Sequence, residues 1–320
     1  MKKIYTIGEA LIDFMPIQTE TTLKDVTAFE KAPGGAPANV AVAVARLGGE
    51  AAFIGQVGAD AFGDYLHEVF EKEGVDTTHL FSTSRAHTAL AFVTLSHGER
   101  QFVFYRNPSA DMLMREEQIH AIDFVADILH FGSVALQTDS MRDAHRRLIA
   151  KIHKAGGLVS FDPNLRVSLW KSSDELERRV LEFLPKANIV KVSDDELWFF
   201  SGKESEEQAI KFLFQGKVEV VIVTRGKAGA TVYHKDERID ADGFEVRTID
   251  TTGAGDGFVA GILYQIAQFD HPLSETTHEE WETILRFANA VGAIATTAKG
   301  AMPSYPTLSV TQAFLQSKTV

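Results

Sequence analysis

Four short apolar runs constrain this chain more than any other feature: Ile128-Leu129-His130-Phe131, Leu158-Val159-Ser160-Phe161, Ile189-Val190-Lys191-Val192 and Val220-Val221-Ile222-Val223. They are nearly continuous rather than alternating, and helical patterns near 138–155, 174–184 and 205–214 separate them. Strands buried on both faces and spaced by helices predict a parallel α/β sheet. Ile4 to Ile7, continued by Ala10-Leu11-Ile12, and Ala51 to Val57 predict further strands. Phe62, Leu66, Val69 and Phe70 recur at helical spacing before Gly74, and Trp281, Leu285, Ala288, Val291 and Ala295 share one face of a last helix over 279–298. One segment breaks the rhythm. Thr88 to Leu95 and Gln101 to Arg106 alternate as half-exposed strands about a turn at His97-Gly98, which predicts an inserted sheet. No repeat, low-complexity tract or linker divides the chain, so 1–320 reads as a single domain.

Composition narrows the function. A formal net charge of −12 argues against a broad nucleic-acid or anionic-membrane surface, yet a local nest of N–H groups can still hold phosphates. The absence of cysteine excludes disulfides, thiol catalysis and Cys–zinc sites. The first apolar run breaks too early for a signal peptide, and no apolar segment is long enough to cross a bilayer. The expectation is a soluble, cytoplasmic protein.

Asp250-Thr251-Thr252-Gly253-Ala254-Gly255-Asp256 is the densest chemical signal. Its glycines let successive N–H groups approach a ligand, and Phe258, Val259, Ile262, Leu263 and Ile266 follow at helical spacing, so the loop opens into a helix. A helix N-terminus is an anion site. Asp256 sits where the anion would bind, which is costly unless it accepts a proton from a hydroxyl attacking a phosphate. Capping explains one aspartate, but not Asp250, Thr251 and Thr252 ahead of the same turn. Near the start, Pro33-Gly34-Gly35-Ala36-Pro37-Ala38-Asn39 enters a helix of small residues that Pro37 opens and Gly48-Gly49 ends. Ligands of parallel α/β sheets bind beyond the carboxyl ends of the strands, where Asp13, Asp162 to Arg166, Glu196 and Thr224 to Gly229 fall. The chain lacks G-x-x-x-x-G-K-[ST], an early G-x-G-x-x-G and H-E-x-x-H, which argues against P-loop, dinucleotide and metal-hydrolase chemistry.

Together Gly34-Gly35-Ala36-Pro37-Ala38-Asn39 and Asp250 to Asp256 resemble the two signatures of the ribokinase-like (PfkB) carbohydrate kinases, over Gly8 to Pro306 and in the right order. The resemblance implies a three-layer α/β sandwich with a mostly parallel central sheet and a small β-sheet lid, formed by about 10–33 and 86–107. It implies a sugar held by Asp13, Gly34, Gly35 and Asn39, with Asp256 as general base and Gly253, Ala254 and Gly255 as the anion hole. Thr224-Arg225-Gly226-Lys227-Ala228-Gly229 resembles the T-x-G-x-x-G nucleotide loop for ATP, with Asn289 near the adenine. Where the family often has N-x-x-E to organise Mg²⁺ through waters, this chain has Ser193-Asp194-Asp195-Glu196, so Glu196 is kept and Ser193 replaces Asn. Lys191 points to the same strand end, towards a phosphate or with its head in solvent. A monovalent cation, K⁺, is implied at Asp250, Thr252, Ala295, Ala298, Gly300 and Ser304. The lid excludes water and commonly forms a homodimer contact.

Glu9-Ala10-Leu11-Ile12-Asp13-Phe14, Phe104-Tyr105-Arg106 and Phe161 to Arg166 with Trp170 resemble the fructokinase branch. Arg106 and Arg166 are expected to fork onto sugar hydroxyls. Two other readings remain at this stage: a 2-keto-3-deoxygluconate kinase, whose arginines clamp a carboxylate, and a non-catalytic sugar or nucleotide sensor on the same fold.

Overall fold

The computed structural model describes residues 1–18, 21–96 and 99–318; the turn expected at His97-Gly98 lies outside the described residues. The strands, in chain order, are β1 (Ile4–Ile7), β2 (Leu11–Pro16), β3 (Phe29–Gly34), β4 (Ala51–Gly58), β5 (Asp76–Thr83), β6 (Ala89–Ser96), β7 (Glu99–Tyr105), β8 (Ile128–Gly132), β9 (Leu158–Asp162), β10 (Ile189–Ser193), β11 (Val220–Thr224), β12 (Ala230–His234) and β13 (Glu237–Ala241). The α-helices are α1 (Ala36–Arg46), α2 (Ala61–Lys72), α3 (Asp139–Lys154), α4 (Ser173–Phe183), α5 (Asp194–Ser201), α6 (Glu206–Leu213), α7 (Ala254–Ile266), α8 (His278–Ala295) and α9 (Leu308–Ser317).

A 9-stranded sheet runs in the order β13-β12-β11-β10-β9-β8-β1-β4-β5. It is parallel from β5 to β11, and β12 and β13 add an antiparallel edge. Side chains of a strand alternate between faces, and β11 shows what that does here. Val220 and Ile222 pack with α1, α2, α7 and α8, whereas Val221 and Val223 pack with α3 to α6. Both faces are therefore covered, which is why the sequence runs are apolar throughout. The result is the three-layer, ribokinase-like α/β fold.

The second sheet has four strands in the order β3-β2-β6-β7. Leu11, Ala89 and Ala91 cluster with Phe104 on one face. On the other, Phe92 stacks on Phe14 at 4.9 Å and meets Tyr105 edge-on at 5.4 Å. Ala10-Leu11-Ile12 thus does not continue the first strand. β1 ends with Ile7 between Ile54 and Phe131, and after Gly8-Glu9 the chain enters the other sheet as β2.

α5, α9 and the β12–β13 hairpin have no counterpart in the sequence reading. Among the described residues no helix is long and apolar enough to cross a membrane.

Candidate active site

α1 and α7 begin at the carboxyl ends of the parallel strands, and the loop before α7 separates two cavities of about 420 Å³ each. Thr251 and Gly255 line both. Gly253 caps α7 at φ +76°, and a Cβ there would lie 2.5 Å from Ala301 Cβ and from the Tyr305 hydroxyl. Only glycine fits that left-handed, crowded position. Asp256, in the first helical turn, is buried and accepts a hydrogen bond from Asn39 Nδ2 at 2.8 Å. Burial pushes its carboxyl up to about 6; the Asn39 bond, Arg166 and Lys191 pull the other way, while Asp162 adds repulsion.

The first cavity gathers Asp13, Gly35, Asn39, Arg166, Lys191 and Asp256. Gly34 lies beneath Asp13, and a Cβ on it would come within 2.2 Å of Asp13 Oδ2. At Gly35, φ +106°, a Cβ would sit 2.3 Å from the carbonyl oxygen of Glu9. The glycine pair is therefore required by close approach of β2 and its lead-in. Lys191 donates to Asp162 Oδ2 at 3.0 Å and lines this cavity, not the second; its Nζ would be 3.7 Å from a Cβ on Gly255. Arg166 is exposed at the cavity wall, with Nη1 donating to Leu165 O at 2.9 Å.

Arg106 is placed differently from the expectation of a two-arginine fork. It is buried, its Nε donates to Asp111 Oδ2 at 3.1 Å, and its Nη1 donates to Gln137 Oε1 at 2.9 Å. It lines a neighbouring cavity, which shares Phe104 and Leu169 with the first. Glu9, which lines the first cavity and feels the charge of Arg106, was not singled out as a site residue from the sequence. Glu9 is 3% exposed, its Oε1 accepts from Ala36 N–H at 3.2 Å, and its buried Oε2 has no hydrogen-bond partner among the described residues. Burial pushes this carboxyl up to about 7, against the pull of Arg106. Neither the pairing of Arg106 nor the burial of Glu9 has a local sequence signal.

The second cavity is lined by Thr224, Gly226, Gly229 and Asn289, with Phe244, Val246 and Phe258 supplying apolar walls. Asn289 Nδ2 donates to the carbonyls of Ala241 and Asp242 at 3.0 and 3.1 Å, which holds the chain leaving β13 against α8. Glu196 lines neither cavity; its Oε1 accepts from Leu165 N–H at 2.5 Å and its Oε2 from Ser193 N–H at 2.8 Å. Ser193 Oγ accepts from Glu196 N–H at 3.3 Å, so the serine caps α5 in a capping box. Near the Gly253–Asp256 turn, Asp250 Oδ1 accepts from Thr252 N–H and Oγ1–H at 2.8 and 2.7 Å, and Oδ2 accepts from Gly300 N–H at 3.0 Å. Ser304 donates its hydroxyl to Ala301 O at 2.7 Å, Ala295 ends α8 and Ala298 is exposed in the turn after it.

Two cavities that meet at a helix N-terminus carrying a buried carboxylate suit transfer of a group between two ligands. The chain belongs to the pfkB family of carbohydrate kinases, whose model, described as pfkB family carbohydrate kinase, matches residues 1–308. It is 44% identical over 317 residues to probable fructokinase-2 of Arabidopsis thaliana, covering 98% of this chain and 95% of that one. A fructokinase from Xylella fastidiosa solved with bound ATP superposes with a TM-score of 0.91 at 37% identity, covering 100% of both chains. A double mutant of the Vibrio cholerae O395 fructokinase, in fructose, ADP and potassium ion bound form, superposes with a TM-score of 0.88 at 36% identity over 98% of each chain.

Proposed function

We propose that this chain is an ATP-dependent fructokinase working as a single kinase domain over 1–320, with the small sheet as its lid. The observation that carries the reading is the Gly253–Asp256 turn on the border of the two cavities, with Asn39 and Asp256 bonded across it. The sugar lies in the first cavity against Asp13, Gly34, Gly35, Asn39 and Arg166. ATP lies in the second, its base among Phe244, Val246 and Asn289 and its phosphates towards Gly255. The sugar hydroxyl attacks the γ-phosphoryl in line and Asp256 accepts its proton. The N–H groups of Gly253, Ala254 and Gly255 face the charge that develops on the moving group. Lys191, beside Gly255 and held by Asp162, adds a positive charge where the two ligands meet.

The charges favour a neutral sugar over a keto-deoxy acid. Asp13, Asp162 and Asp256 line the first cavity with Arg166 and Lys191, and Lys191 is already paired with Asp162. A substrate carboxylate would meet more negative charge than positive.

Mg²⁺ would neutralise the β- and γ-phosphate oxygens. It would be reached through waters from the loop that Glu196 ties together rather than by Glu196 directly, since both carboxylate oxygens hold backbone N–H groups. The buried Asp250 carboxylate beside the turn of Gly300 to Ser304 fits a monovalent cation, K⁺, with carbonyls from Ala295, Ala298 and Gly300 and the oxygens of Thr252 and Ser304 completing its shell. It would fix the loop that carries the anion hole. The outer lid face exposes Val103 and Tyr105, at 43% and 62%, which suits a homodimer through the lid.

The test is ADP release from MgATP with D-fructose, 2-keto-3-deoxygluconate, ribose and adenosine, with and without K⁺. Turnover with fructose above the other three is expected. Preference for the keto-deoxy acid, or no turnover with any acceptor, would overturn the assignment.

A further inference from the structure

The segment from Gly300 to Tyr305 is tied down at both ends and pressed under the loop that carries Asp256. At its start Gly300 N–H donates to Asp250 Oδ2 at 3.0 Å. At its end Arg46, on α1, donates from Nη1 to the carbonyls of Pro303 and Tyr305 at 3.1 and 2.9 Å, and Glu73 holds Arg46 in turn through a 2.7 Å bond to Nε. Tyr305 is 3% exposed and donates its hydroxyl to the carbonyl of Gly253 at 3.1 Å. Its ring lies against Gly257, where a Cβ would approach to 3.1 Å.

The Gly253 carbonyl also accepts the first helical bond of α7, from Gly257 N–H at 2.8 Å. That carbonyl and the Ala254 N–H belong to one planar peptide unit, so orienting one orients the other. The control matters because Gly253, at φ +76°, lacks the Cβ that would restrict it. Among the described residues the Ala254 N–H itself has one backbone partner, Thr251 O at 3.3 Å, within its own turn. Two donors, the Tyr305 hydroxyl and the Gly257 N–H, therefore hold the Gly253 carbonyl and with it the peptide plane that carries the Ala254 N–H.

We propose that Tyr305 is a positioning residue for phosphoryl transfer, its hydroxyl fixing the Gly253–Ala254 peptide so that the Ala254 N–H is aimed at the transferring group. α1 then grips the α7 N-terminus from both of its own ends, through Asn39 to Asp256 and through Arg46 to Tyr305. The role rests on the kinase reading above. It concerns charge that appears in the transition state, so it acts on turnover and not on the binding of either substrate.

The experiment is Tyr305→Phe, which keeps the ring and deletes one oxygen, assayed in the full chain with fructose and MgATP. The expected result is a fall in kcat of about 5- to 20-fold with both KM values within about twofold. Affinity for ADP with aluminium fluoride in the presence of fructose, a mimic of the transferring group, falls by a similar factor while affinity for ADP alone is unchanged. An unchanged kcat, or a loss shared with KM and absent from the aluminium fluoride complex, overturns the proposal. Should Tyr305→Phe not fold, Arg46→Lys tests the same clamp from outside the ring contact, with the same split at about two- to fivefold; an unaltered kcat there overturns it equally. A wild-type chain that turns over no fructose counts against the proposed function, whereas wild-type turnover with an unaffected Tyr305→Phe counts against this inference alone.

Discussion

Asn39 Nδ2 and Asp256 Oδ2 stand 2.8 Å apart although 217 residues separate them in the chain. The bond joins the starts of α1 and α7, the two helices that follow the two glycine-rich motifs. It also selects a protonation state. An amide donor favours the ionised carboxylate, the form a general base needs, against a burial that favours the neutral one.

Replacing the proposed base isolates its chemistry. Asp256→Asn keeps the shape and the start of α7, so ATP affinity should stay within about twofold while kcat falls by about 10² to 10⁴. Steady-state kinetics paired with calorimetric titration of ATP would check both halves. Near-full turnover in the variant would remove Asp256 from the mechanism.

The pH profile follows from the raised carboxyl. With Asp256 at about 6 and proposed as the base in its deprotonated form, log kcat/KM should rise with pH and level off above about 6. Asn39→Ala removes a hydrogen bond made to the charged form, so the limb should move to higher pH. A limb that stays in place, or moves to lower pH, would show that another group controls the profile.

The large sheet could be read from the sequence because burial on both faces writes itself as continuous apolar runs. Both glycine-rich motifs were legible for a related reason: close approach of Asp13 to Gly34 and of Tyr305 to Gly253 tolerates only glycine, and glycine is visible. The hairpin Ala230–Ala241 was not legible, because Glu237-Arg238-Ile239-Asp240 carries three charges on a half-covered edge strand. The pairing of Arg106 was not legible either, because an arginine at the end of a strand of the small sheet reads as reaching for a ligand and no local pattern announces its bonds to Asp111 and Gln137. Glu9 and Tyr305 act on backbone groups 27 and 52 residues away, distances at which sequence pattern carries no information.

The two arginines should therefore separate on mutation. Arg166→Ala, on the exposed wall of the first cavity, should raise the fructose KM about tenfold or more while leaving the ATP KM and the melting temperature nearly unchanged. Arg106→Ala strands a buried Asp111 and should cost about 3–5 kcal/mol of stability, read as a lowered melting temperature. Equal effects of Arg166→Ala on both KM values, or a stable Arg106→Ala with a selective sugar defect, would reverse these assignments.

Glu9 makes the stability of the fold depend on pH, with a sign set by its surroundings. Its carboxyl lies at about 7 in the folded chain, raised from an ordinary value of 4.5, because burial outweighs Arg106 and the bond from Ala36 N–H. The folded state therefore holds this proton more tightly than the unfolded state does. Below pH 4.5 both states are protonated and the group costs nothing; between 4.5 and about 7 the cost grows; above about 7 it is complete, on the order of 3 kcal/mol. Glu9→Gln keeps an oxygen for Ala36 N–H and removes the ionisation. Calorimetry should find the variant more stable than wild type at pH 8, with the gap closing towards pH 5. If the gap is instead constant with pH, or the variant is the less stable of the two at pH 8, then Arg106 outweighs burial and Glu9 is held as a carboxylate.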